Sequence, residues 1–313
     1  MRRFVVLFVM ILCGSSLWGQ TVPHMRTRLF TSLTNTEIEQ YLKRNDVIFI
    51  PIGNVEPHGG MPIDCEYIGP LAIAMKAAEE VDGLVLPGLA YFFPDATVVG
   101  RGAVHVTPSE GIAFLKPIAK SLLRQGFRRQ IYLSGHAPSF QTLSPLVREI
   151  FDETHVPILY LESGLRPPGS RFPSQMGGMT SMASARPTIE SNTQLIGAYL
   201  IAGRLEDVPI NLSQEVPVHP ANPGVDNLFP VGVQSGAIGF YMTNPTDHGG
   251  PALPMTAEQR SSLANKGAAS IEEGVKAGNL KEILQAMRDY DKFIQQNIVP
   301  KYGWIFPSDK QGQ

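Results

Sequence analysis

Short apolar runs alternate along this chain with longer stretches of helical spacing, and that alternation dictates how it folds. Val47 to Ile52, Gly83 to Leu86, Gln130 to Leu133 and Val156 to Leu161 each read as a short buried strand, stopped by Gly, Pro or Ser. Helical spacing runs over Pro70 to Val81, Thr107 to Arg124, Ser139 to Thr154, Glu190 to Leu205, Thr256 to Ala277 and Leu280 to Asn297. Thr107 followed three residues later by Glu110 is a helix-start signature, and Gly126 a stop. Ala237 to Met242 reads as a late strand. Strands joined by helices pair in parallel, so the expected fold is α/β: three layers, α/β/α, around a mostly parallel central sheet. Ligands of such sheets sit beyond the carboxyl ends of the strands.

The chain of 313 residues opens with a segment outside this pattern. Met1-Arg2-Arg3 is basic, Phe4 to Leu12 is apolar, and small residues follow at Cys13 to Ser16. That order is the signature of a secretory leader, here residues 1–19, and the apolar run falls well short of the about 20 residues a membrane span needs. The expected location is therefore the bacterial envelope or beyond, with a lipoprotein anchored at Cys13 as the lesser alternative. Residues 20–313 are expected to form one domain, and no other segment is apolar enough to cross a membrane. Two cysteines become one, Cys65, once the leader is gone, so no intrachain disulfide forms. A net charge of -2 carries no field that favours nucleic acid or an anionic surface. The Pro/Gly/Ser-rich stretches 165–187 and 211–235 have no period and read as long functional loops.

Two motifs carry chemistry. The first, Pro51-Ile52-Gly53-Asn54-Val55-Glu56-Pro57-His58-Gly59-Gly60, leaves the first strand and runs on to Asp64 and Glu66 on the following loop. A carboxylate and an imidazole two residues apart on extended chain point to one side. That donor set suits zinc, manganese or iron. The second, Ser134-Gly135-His136-Ala137-Pro138-Ser139, leaves the third strand. Two strands of one parallel sheet bring both motifs to one edge. Cys65 has no histidine partner by spacing and reads as a buried structural thiol. No Gly-x-Ser-x-Gly elbow is present, which ranks a serine hydrolase low.

With these residues the chain resembles the creatininase (creatinine amidohydrolase) family. The first motif resembles that family's Glu-x-His-Gly segment, with its following turn and aspartate. The second resembles its Asn-Gly-His-Gly-Gly-Asn motif. Gly102 to Pro108, Gly126-Phe127-Arg128-Arg129, Thr188-Ile189-Glu190-Ser191 and the stretch from Gly239 to Gly267 resemble further family segments, so the likeness covers about residues 30 to 275. The resemblance implies metal-assisted hydrolysis of a C–N bond in a cyclic amide, formamide or related small molecule. It implies Glu56 and His136 as ligands of one metal ion and His58 of a second. The bridging aspartate corresponds to Glu66 with one residue deleted near Gly60, or to Asp64 if the loop is rearranged. Glu190 is then a supporting carboxylate, a base or an extra ligand, unless it is only a helix-start charge. The family's assemblies imply a homo-oligomer, commonly a hexamer.

This sequence departs from the pattern at several points. Glutamate stands at the bridging position, Ser134 and Ser139 stand for asparagines, and Pro138 stands where creatininases supply a further ligand. The histidine expected before the Glu190 segment, a proton donor, is replaced by Ala185-Arg186. Arg186 stays protonated, so it serves to polarise a carbonyl or bind a carboxylate rather than as an acid. His105 and His248 are the candidates to replace the missing donor. These changes leave two expectations: a metal-dependent amidohydrolase with another substrate, or a relative that binds metal or ligand without efficient turnover.

Overall fold

The computed structural model describes residues 25–162, 189–212, 228, 239–241 and 254–302. The leader, Cys13, Arg186 and His248 lie outside these residues. Of the expected late strand only 239–241 are described, and they carry no strand pairing. The elements run α1 (Asn35–Leu42), β1 (Val47–Pro51), α2 (Cys65–Val81), β2 (Leu84–Val85), α3 (Pro108–Gln125), β3 (Arg129–Ser134), α4 (Phe140–Thr154), β4 (Leu159–Glu162), α5 (Thr193–Ile201), α6 (Ala257–Ala277) and α7 (Leu280–Phe293). A π turn, Ile294–Ile298, leads from α7 into the short α8 (Val299–Tyr302). No described helix is long and apolar enough to cross a membrane.

The four described strands pair in parallel in the order β2-β1-β3-β4. Their side chains alternate between two cores, as a period of two requires. Ile48, Ile50 and Tyr132 face Leu115, Leu122, Leu143 and Ile150 of α3 and α4. Val47, Phe49, Ile131 and Leu133 face Ala74, Ala77 and Ala78 of α2 and Leu284 and Met287 of α7. The architecture is thus the expected three-layer α/β/α. A third apolar cluster lies outside the sheet, where α2, α5 and α6 meet.

The helix starts obey local chemistry where a cap is present. Thr34 with Glu37, Thr107 with Glu110 and Thr256 with Gln259 all form reciprocal capping boxes. Gly126 closes α3 at φ 109°, a conformation that a side chain would strain. Several boundaries differ from the expectation: β4 begins at Leu159 and not at Val156, α7 gives way to the π turn after Phe293, and two further differences bear on the site. The segment expected as one helix from Glu190 to Leu205 is a 3-10 turn (Ile189–Asn192) followed by α5, which ends at Ile201, and Gly203 at φ 71° takes the chain out of the helix before Leu205. More consequentially, α2 begins at Cys65 and not at Pro70, so Glu66 lies in its first turn instead of on a loop. A proline in the sixth position lacks the amide that would bond the carbonyl of Glu66. Burial of Cys65, Tyr67 and Ile68 outweighs that loss.

Helices α5 and α6 approach each other through glycine. A Cβ at Gly267 would come within 2.9 Å of the Gly197 Cα and nearer still to the Thr193 carbonyl oxygen. Backbones this close exclude any side chain at either position. Replacing Gly267 by valine is expected to cost at least about 1–3 kcal/mol through overpacking, which for a chain of this size lowers the thermal midpoint by several degrees. A circular-dichroism melt that matches wild type would contradict the close crossing.

Candidate metal centre

The two motifs leave the carboxyl ends of adjacent strands, β1 and β3, whose last residues pair as Pro51 with Leu133. Gly53 sets the path of the chain beyond β1. A Cβ there would collide with the backbone of Tyr67, so only glycine lets the β1 exit pass against the first turn of α2. That contact brings Glu56, from the loop, beside Glu66, from the helix. His136 arrives from the β3 exit, where its amide donates to Ser134 Oγ at 3.3 Å and the Ser134 and Ser139 hydroxyls bond at 2.8 Å.

Glu56 is fully buried and Glu66 and His136 nearly so. His136 Nδ1 lies 2.5 Å from Glu66 Oε2 and 3.1 Å from Glu56 Oε1. One ligand atom from each of the three residues falls within 4.8 Å of the others, and they form the one such acidic or imidazole group among the described residues. His58 Nδ1 stands 3.8 Å from the second Glu66 oxygen, at the margin of the group. The buried amide of Asn54 donates to both carboxylates, closely to Glu56 and at 3.0 Å to Glu66. The Thr97 hydroxyl donates to the other Glu56 oxygen. Thr97 is delivered by a turn, Asp95–Val99, whose first residue takes the left-handed φ of 53°. Strain of that kind persists where tertiary contacts impose it.

The electrostatics follow from the geometry. Burial, reinforced by the neighbouring Glu66 carboxylate, raises the Glu56 pKa to about 7. Burial alone would lower the His136 pKa, but the Glu66 and Glu56 carboxylates outweigh it and raise it to about 10. The two carboxylates thus need a proton or a positive charge between them, and the His136 imidazolium supplies a charge that faces both. His136 Nε2 is buried without a hydrogen-bond partner among the described residues.

Beside the group lies a cavity of about 310 Å³. Its polar end is His58 and Glu66. Pro70 and Ile73 of α2, Leu195 of α5 and Ile271 of α6 make it apolar, and Gln194 adds one amide. The other candidates lie elsewhere. Asp64 points to Tyr199 and Arg204, and Glu66 takes the place beside His136. Glu190 is exposed in the 3-10 turn before α5. His105 is exposed, its ring edge-on to Phe93 at 5.8 Å. Cys65 is buried as expected, its thiol pKa pushed up by burial and the surrounding carboxylates. Asn54 and Thr97 escaped sequence reasoning. Asn54 stands within the first motif, two residues before Glu56, and that adjacency is a usable signal. Thr97 follows no motif and reaches Glu56 from 41 residues away.

The family profile described as creatinine amidohydrolase matches residues 31–194. The creatinine amidohydrolase of Pseudomonas putida is 31% identical over 111 residues, which are 33% of this chain and 43% of that protein. The 3-dehydro-scyllo-inosose hydrolase of Thermotoga maritima is 29% identical over 113 residues, 36% of each. The chain thus spans less than half the length of either relative. A crystal structure of creatinine amidohydrolase superposes with a TM-score of 0.55 at 16% identity, over 87% of this chain and 98% of the other. A structure described as Creatininase Mn superposes at 0.53, over 87% and 99%. At such identity the likeness is one of fold.

The cluster's charge makes stability depend on pH. Both shifted groups hold protons more tightly folded than unfolded. The stabilisation from His136 is fully present below its unfolded value near 6.5 and is lost as pH rises through about 10. That of Glu56 runs in the same direction, from its unfolded value to about 7. Urea midpoints of chelator-treated protein are expected to fall between about pH 7 and pH 10, and the fall should flatten in His136→Gln. Midpoints that rise over this range would refute the cluster as described.

Proposed function

This chain belongs to the creatininase family, and on that premise we propose that it is a metal-dependent hydrolase of a small molecule. Glu56, Glu66 and His136 would hold a divalent ion, and His58 would extend the site to a second. The observation that carries this reading is the buried approach of two carboxylates and one imidazole within 4.8 Å. The donor set fits. Imidazole nitrogen with carboxylate oxygen suits zinc, manganese or iron, and two carboxylates balance a divalent charge. His136, with one nitrogen facing the carboxylates and the other buried without a partner among the described residues, has capacity to bind. Structures of creatininases described as Mn and Zn-Zn types share this fold. Which ion occupies this chain, and whether one or two, belongs to the proposal.

A divalent ion in such a site acts as a Lewis acid and makes water nucleophilic at neutral pH. The rest is done by the chain. Asn54 holds both carboxylates in place, and Thr97 orients Glu56. The cavity takes the body of the substrate. One relative is named for an amide and the other for an inosose. Among the described residues, the apolar wall of Pro70, Ile73, Leu195 and Ile271, with the amide of Gln194, supports the first. Each hydroxyl buried there without a partner would cost about 1–3 kcal/mol. We therefore favour a C–N bond in a cyclic amide, formamide or related small molecule. A second reading, metal or ligand binding with little turnover, rests on the replacement of the expected proton-donor histidine by Ala185-Arg186 and on the exposed placement of His105. The proposal includes a leader-directed envelope protein and a homo-oligomer, on the family pattern a hexamer, checked by the mature N-terminus and light scattering.

Reconstitution with Zn, Mn or Fe should give stoichiometric metal, which Glu56→Ala with His136→Ala should abolish. Because loading expels the His136 proton, apparent affinity should strengthen about tenfold per pH unit from about pH 7 and level off near pH 10. No uptake of any of the three ions would end the metal reading. Metal-dependent turnover on an amide, lactam and formamide panel separates the hydrolase from the binder, and metal uptake without turnover selects the binder.

A further inference from the structure

Asp64 is the acidic residue of the first motif that the metal cluster does not use, and its placement has a purpose of its own. It immediately precedes α2, where an aspartate ordinarily accepts from the helix's first free amides. Here its side chain caps nothing. Instead Asp64 Oδ1 accepts from the Tyr199 hydroxyl at 2.5 Å, and Oδ2 pairs with Arg204 Nη1 at 2.6 Å. We propose that Asp64, Tyr199 and Arg204 form a clamp that sets the start of α2 and so positions Glu66 in the metal centre. This rests on the reading of Glu66 as a ligand.

The first turn of α2 needs an external hold. It has no side-chain cap, and Pro70 has no amide to offer the Glu66 carbonyl. Two rungs that stiffen an ordinary helix start are therefore missing where Glu66 sits. Two tertiary ties replace them. On one side the Tyr67 hydroxyl accepts from the Gly88 amide at 2.6 Å. On the other is the Asp64 clamp, and its partners are ordered beforehand. Tyr199 is fully buried in α5, which the Gly197–Gly267 contact presses onto α6. Arg204 lies over the Tyr199 ring, 5.5 Å from its centroid, and pairs with Asp207 at 2.6 Å. The Asp64–Arg204 pair is exposed, and such pairs contribute about 0–1 kcal/mol, so the fully buried Tyr199 hydroxyl is the stronger half of the tie.

The lever is short. Glu66 follows Asp64 by two residues, and its carboxylate lies 2.5 Å from His136 Nδ1 and 3.0 Å from Asn54 Nδ2. Metal–ligand distances tolerate only about 0.2 Å. Asp64 is thus a positioning residue and not a ligand, although it shares the motif and the charge of one.

The test compares Asp64→Ala and Tyr199→Phe with Arg128→Gln, which breaks an ion pair to Asp291 at the far end of β3. Zinc and manganese affinities are measured by calorimetry, and coordination geometry by the visible spectrum of the cobalt-loaded protein. Asp64→Ala should weaken affinity about tenfold or more and change the cobalt spectrum, as loss of an outer support does. Tyr199→Phe should act in the same direction, and it carries the comparison if Asp64→Ala does not fold. Arg128→Gln should leave affinity within about twofold, since distant sites act independently, even where its thermal midpoint falls as far. Wild-type affinity in Asp64→Ala and Tyr199→Phe would overturn the clamp. If the wild type takes up no metal, the ligand reading fails on its own. The clamp is then judged by the His136 Nδ1 proton signal in metal-free, ¹⁵N-histidine-labelled protein at fixed pH. Asp64→Ala or Tyr199→Phe should move or broaden that signal while Arg128→Gln leaves it, and an unmoved signal overturns the clamp.

Discussion

Two buried carboxylates share a pocket only where a proton or a positive charge relieves their repulsion, and the surroundings of Glu56 and Glu66 answer that constraint. His136 faces both. Asn54 donates to both, and Thr97 donates to Glu56. The left-handed turn at Asp95, the glycine at position 53 and the serine pair around His136 all serve to deliver these groups. Without a counter-charge the arrangement would cost several kcal/mol of desolvation per ion. With one, the same desolvation strengthens the attraction for a cation. The cost of folding the site is thus the source of its affinity.

The scaffold carries this arrangement by ordinary means. A parallel sheet places successive strand exits at one edge, and β1 and β3 are neighbours there. Helix α2 crosses the β1 exit at Gly53, which puts a helical carboxylate beside a loop carboxylate. Helices α5 and α6 then buttress α2 from outside the sheet and enclose the cavity with it. Catalytic or binding residues on loops and helix starts, held by a rigid sheet, are the usual division of labour in this fold class.

Fold and centre differ in how far local chemistry foretells them. The strands around Val47–Pro51 and Arg129–Ser134 and the cap at Thr107 are local statements, and each is found in the structure. Helix α1 announces itself equally through the Thr34 and Glu37 box, a signal that short segments make easy to pass over. The start of α2 is not legible in the same way. Pro70 is a strong local stop, whereas the burial of Cys65, Tyr67 and Ile68 is a tertiary effect. Between Glu66 and Asp64, two acidic residues with one residue between them, no local rule chooses. The choice depends on which of them meets His136 and which meets Arg204.

From the residues alone came the alternation that makes a parallel α/β sheet, the two motifs at its strand exits, and the donor types that suit a divalent metal. Those are properties of periodicity and of side-chain chemistry, which neighbours in the chain express unaided. The family resemblance put Glu66 ahead of Asp64; tertiary structure alone decided that Glu66 lies beside Glu56 and His136, that Asp64 is turned to α5, that Thr97 and Asn54 complete the hydrogen bonds, and that an apolar cavity adjoins them. These depend on distances between elements far apart in the chain, fixed by how α2, α5 and the sheet pack, and no local pattern encodes such a distance.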